Sequence, residues 1–147
     1  MSTKRFLAGA LTGAIVFFFL GYLFYGVLLQ NFMKENGGTA TNVARDMNNF
    51  VWWALIAGNI GMGVLLSYIL NKSNAISAQG GLKRGFIVFL LVAVSADLIN
   101  YATTNLATYK LMAADIATMA VMGGIAGAVT GWVCSMVDKT ETTVVAA

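Results

Sequence analysis

Phe86-Ile87-Val88-Phe89-Leu90-Leu91-Val92-Ala93-Val94-Ser95-Ala96-Asp97 is the stretch on which the reading of this chain turns. It lies in an apolar run, 85–104, that contains one acid, Asp97, and no basic residue. About 20 apolar residues, rising about 1.5 Å each as a helix, cross a hydrocarbon core of about 30 Å. An ionisable side chain inside such a span is expensive, turns toward a bundle interior and marks a functional site by default. Asn100, Tyr101 and Thr104 follow Asp97 at i+3, i+4 and i+7, so all four share one helix face.

Three further apolar runs, 6–29, 50–70 and 112–137, surround this one, and the short polar segments between them hold nearly all the charge. With 59% hydrophobic and 10% charged residues, the chain departs from soluble domains, which average about 25% charged. The expected fold class is an all-α membrane protein with four transmembrane helices in an up-down-up-down antiparallel bundle. At 147 residues it forms one domain, 1–147, with 138–147 expected as a mobile cytoplasmic tail. Without proline, no helix is kinked by ring geometry. The first run exceeds the about 7 to 15 residues of a signal-peptide core and ends without a small-x-small site, so it is read as an uncleaved helix.

Lys4, Arg5, Lys72, Lys83, Arg84 and Lys139 flank one side of such a bundle, and only Lys34, Arg45 and Lys110 flank the other. By the positive-inside rule both termini face the cytoplasm. Tyr22, Tyr25, Trp52 and Trp53 fall where aromatic rings anchor an interface. In the longest loop Asn36-Gly37-Gly38 signals a turn, and Thr39 or Thr41 is placed to cap a helix through Val43-Ala44-Arg45-Asp46-Met47. Gly80-Gly81 reads as a break ahead of the third span.

Counting about 1.5 Å per residue places Asp97 about 10 Å, and Asn59 about 13 Å, below the outer edge. Tyr22 lies in the same outer half, so Asp97, Asn59, Asn100, Tyr101, Thr104 and Tyr22 form a candidate ligand or ion pocket. The competing reading makes Asp97 packing glue, donating to Asn59 or a backbone carbonyl. Asp115 reads as structural, a first-turn acid favoured by the helix dipole and paired with Lys110 at the surface. Gly123, Gly127 and Gly131 repeat every four residues, and Gly9 and Gly13 form a shorter row of the same kind. Such rows are helix-packing faces, directed at one another or at another copy of the chain.

The absences exclude most chemistry. There is no His, no paired acid on one helix face, no Cys cluster and no phosphate-binding glycine loop, so no metal, cofactor or catalytic residue is expected. Cys134, the one cysteine, reads as a small buried apolar residue. The formal charge of +3 is accounted for by membrane flanks and gives no nucleic-acid signal.

Gly21-Tyr22-Leu23-Phe24-Tyr25-Gly26 followed by Phe32-Met33-Lys34, the Asn100-Tyr101 pair, and Ala114-Asp115 leading into a Gly-rich last span carry a resemblance. They resemble a bacterial family of small four-span membrane proteins of unknown function, whose first span ends in Gly-x-x-(Trp/Tyr)-Tyr. The likeness implies the four-span fold and offers no catalytic residue. The expectation is a small non-enzymatic protein of the inner (cytoplasmic) membrane, in contact with the lipid bilayer. It acts as a helix-packing or accessory subunit, joined to a second copy or a partner membrane subunit through small-residue faces. The alternative is a small transporter or channel that binds a cation, proton or polar ligand in an outward-facing pocket around Asp97.

Overall fold

The computed structural model of the protein describes residues 2–45 and 47–145, with side chains for all of these except 47 and 139–145. Helix α1 (Thr3–Gly21) opens on Ser2, whose hydroxyl accepts from the Arg5 amide, and winds on without a break as a π-helix, Tyr22–Leu28. A short α2 (Gln30–Glu35) follows, then a 3-10 turn, Met47–Asn49, and α3 (Trp52–Lys72). Ser77 caps α4 (Ala78–Thr103) through the Gly80 amide at 3.0 Å, and α5 (Tyr109–Val145) completes the chain.

Two boundaries differ from expectation. No helix forms through Val43 and Ala44, where the backbone is irregular and Asn42 takes a left-handed φ of 57°, a conformation that Asn tolerates because its short polar side chain bonds locally; Asp46 lies outside the described residues. Gly80 and Gly81 are inside α4, because the Ser77 cap starts the helix ahead of them. Of the expected tail, 138–145 continues as helix and residues 146 and 147 lie outside the described residues, as does the side chain of Lys139.

Four helical stretches, Thr3–Leu28, Trp52–Lys72, Ala78–Thr103 and Tyr109–Asp138, are long and apolar enough to cross a membrane. The fold is therefore an all-α bundle of four apolar helices, compatible with a small multi-pass membrane protein. Leu7, Leu11, Ile15 and Phe19 line one exposed stripe of α1, and Ile87, Leu91 and Leu98 are exposed on α4. So much outward apolar surface matches a hydrocarbon solvent.

Helix α1 packs on α3 and on α5, α5 packs on α4, and α3 barely meets α4. Gly9 lies against Ser67 and Cys134, and Gly13 against Gly63 and Thr130, so α3 and α5 both run opposite to α1. Gly81 lies against Gly127 and Gly131, and Gly85 against Gly123 and Gly127, so α4 runs opposite to α5. Phe17, Leu66, Phe89 and Met122, one from each long helix, meet in the core, with the Phe17 and Phe89 rings 4.5 Å apart and tilted by 52°.

An ion pair between Arg5 and Asp138 brings the two ends of the chain to one end of the bundle. At the opposite end the first loop crosses to the loop before α5. Gly38 N donates to Leu106 O (3.0 Å), Ala40 N to Asn105 O (3.2 Å) and the Thr108 hydroxyl to Asn36 O (2.6 Å). A Cβ on Gly38 would overlap Asn105 O, so this strap requires glycine.

Candidate functional site

Three helices converge below the strap and bring together Tyr25, Asp97 and Asp115. Tyr25 comes from the π-helical end of the first span, Asp97 from the last turns of α4 and Asp115 from the second turn of α5. The antiparallel pairing of α4 and α5 explains the meeting of the acids: register along the glycine rows carries the end of one helix past the start of the other. Asp115 acts electrostatically on both Asp97 and the Tyr25 hydroxyl, and Asp97 acts on Tyr25 in turn. Asp97 Oδ2 and Tyr25 Oη are enclosed and close no hydrogen bond of ordinary geometry, with the Asp115 carboxyl near enough to engage either.

Buried polar atoms are almost always paired, so two orphaned oxygens beside a second carboxylate are informative. The site offers two carboxylates and a phenol, with no His in the chain and no basic residue paired to the acids among the described residues. Its polar groups are all oxygens. Such a set holds a proton or a hard cation and lacks a base–nucleophile pair for covalent catalysis. No cluster of three or more His, Cys, Asp or Glu occurs among the described residues.

The other expected pocket residues are distributed differently. Tyr22 is 60% exposed and Tyr101 47% exposed, both turned away from the enclosed oxygens. Asn59 is half-buried and donates to Leu55 O on its own helix at 2.8 Å. Asn100 is exposed, and its carbonyl accepts from the half-buried Thr104 hydroxyl at 2.7 Å. Asp115 has left the surface role expected for it and makes no ion pair with Lys110 among the described residues. Counting residues along the spans could not reveal Tyr25, whose azimuth depends on the π winding.

The glycine rows also find their partners. Gly123, Gly127 and Gly131 face Gly81, Gly85 and Ser77 of the same chain, while Gly9 and Gly13 seat α1 on α3 and α5.

A second polar cluster, at the end that holds both termini, was not foreseen from sequence. Arg5 Nε donates to Asn71 Oδ1 (2.6 Å), and the same guanidinium pairs with Asp138. Asn71 Nδ2 donates to Ser67 O (2.8 Å), the Ser67 hydroxyl donates to Phe6 O (2.7 Å), and the Cys134 thiol lies 3.7 Å from Arg5 O. Every group here has a partner, so the cluster clamps α1, α3 and α5 together and leaves nothing open to a ligand. Comparison with family models, curated proteins and solved structures yields no match for this chain.

Proposed function

We propose that the protein is a small multi-pass protein of the inner membrane, with cytoplasmic termini, that takes up a proton or a small cation between Asp97 and Asp115. The observation that supports this reading is the enclosed, unpartnered Asp97 Oδ2 opposite a second carboxylate. Packing glue needs a protein partner for the acid, and neither Asn59 nor a backbone carbonyl closes a hydrogen bond with Asp97 Oδ2. Two facing carboxylates instead call for positive charge, because like charges at close range in a weakly polarisable medium repel strongly. Tyr25 supplies a phenol that can donate to whichever carboxylate is ionised.

The test uses purified protein in liposomes with an entrapped pH-sensitive or cation-sensitive dye and an imposed gradient. Wild-type protein is expected to carry the ion, and Asp97→Asn and Asp115→Asn are each expected to abolish the signal. Uptake that survives in Asp97→Asn overturns the proposal. So does a silent wild type whose Asp97→Asn variant melts at lower temperature, since that combination is the signature of glue.

A further inference from the structure

The acid pair has walls from three helices and none from the fourth. Tyr25, Asp97 and Asp115 stand on the first span, α4 and α5, and at that end of the bundle α3 has parted from its neighbours. From Val51 to Gly61 every residue is exposed except the half-buried Asn59, and a Cβ on Gly58 or Gly61 would meet nothing within 4 Å. The packing of α3 lies at its other end, where Gly63 and Ser67 seat it on α1 and Leu66 and Leu70 enter the core. It barely meets α4. Asp97 is itself only half-buried although its Oδ2 is enclosed, and Ser95, Ala96 and Leu98 beside it on α4 are exposed. The site is therefore open sideways, toward whatever surrounds the bundle.

The end of the bundle above the site is covered. The strap bonds Gly38 to Leu106, Ala40 to Asn105 and Thr108 to Asn36, tying the end of the first span to the turn between α4 and α5. These are the three helices that carry the site, and α3 takes no part in the strap.

A lateral opening onto hydrocarbon selects what can arrive. A hydrated inorganic ion gives up its water only at a large cost in such a medium. Two carboxylates and a phenol also fall short of the about six to eight oxygens that calcium takes or the octahedral shell of magnesium, and no group of three or more His, Cys, Asp or Glu occurs among the described residues. A cation carried on an apolar body dissolves among acyl chains, meets the acids with its charge and covers bare apolar surface such as Ile56 and Ile60 of α3 with its body. A helix from a second copy would supply the apolar surface without the charge, because no Lys or Arg lies in 6–29, 50–70, 85–104 or 112–137.

We infer that the acid pair takes a lipophilic organic cation, an ammonium or other onium group on an apolar body, which enters from the bilayer through the flank that α3 leaves open. The inference rests on the acid-pair reading above and adds to it the ligand class and the route.

The probe is tetraphenylphosphonium, titrated by equilibrium dialysis into purified protein in nanodiscs, with the uptake of empty nanodiscs subtracted. Wild type is expected to bind it saturably. Tetraphenylborate has the same shape and the opposite charge, and tetramethylammonium has the charge without the apolar body; each is expected to bind at least about tenfold more weakly. Asp97→Asn and Asp115→Asn are each expected to weaken tetraphenylphosphonium binding by at least about tenfold, in variants whose circular dichroism and elution match wild type. If neither variant folds, the three probes on wild type decide.

Tetraphenylborate bound as tightly as tetraphenylphosphonium overturns the inference, since shape alone then governs binding. Tetramethylammonium bound as tightly overturns it too, because it reaches the acids only from water. A dimer that binds no tetraphenylphosphonium assigns the open flank to a second copy and has the same consequence. Ion uptake by wild-type liposomes without tetraphenylphosphonium binding removes the ligand class and leaves the acid-pair reading standing. Binding that depends on both acids, in a protein that carries no ion in liposomes, supports the ligand class and removes carriage.

Discussion

Asp97 and Asp115 are the residues at which stability and function separate. Asp97→Asn removes one of two neighbouring carboxyl groups, and Asp97 Oδ2 closes no hydrogen bond of ordinary geometry, so the thermal midpoint in detergent is expected to hold or rise by the equivalent of about 1 kcal/mol. A clear fall would assign Asp97 to packing. Arg5 behaves oppositely: its side chain is 12% exposed and serves both Asn71 and Asp138, the latter 44% exposed. Arg5→Ala leaves the buried Asn71 oxygen without its donor and is expected to cost about 1 to 2 kcal/mol, measured by the same melts. At this scale Asp97 was legible in the sequence because an acid in a hydrocarbon run is conspicuous by itself. Tyr25 and Asp115 were not, since Tyr25 looks like any interfacial aromatic and Asp115 like any first-turn acid.

Among the helices, the glycine rows divide into filled and open ones, and substitution should tell them apart. A methyl at Gly127 would overlap Gly81 O, a backbone atom that moves only if α4 moves. Gly127→Ala is therefore expected to destabilise the fold by about 1 to 3 kcal/mol, the usual range for overpacking. Gly58 and Gly61 on α3 have nothing within 4 Å of an added Cβ. Gly58→Ala and Gly61→Ala should be neutral or gain up to about 1 kcal/mol each, the helix-propensity difference. Titrating folded protein in micelles with denaturing detergent ranks the three. The row on α5 was visible as a four-residue repeat, but its partner was hidden, because Gly81 stands next to Gly80 and reads as a loop break until the Ser77 cap is seen to start α4 ahead of both.

For the molecule as a whole, the Arg5–Asp138 pair places both chain ends at one end of the bundle. Reporters fused to the N- and C-termini should therefore agree, and the excess of Lys and Arg on that side predicts a cytoplasmic signal from both. Disagreement between the two fusions would contradict the bundle itself; agreement on the opposite side would contradict only the orientation.

Hydropathy and length alone determined that the chain is four apolar helices, since the need to satisfy every backbone amide in hydrocarbon leaves little other choice for runs of this length. They also singled out Asp97, because the cost of an acid at that depth follows from composition and position. Only the tertiary structure decided which groups the acid faces. Helix azimuth and antiparallel register, set by glycine contacts tens of residues apart and by one π turn, brought Asp115 and Tyr25 beside it and turned Tyr22 and Tyr101 away.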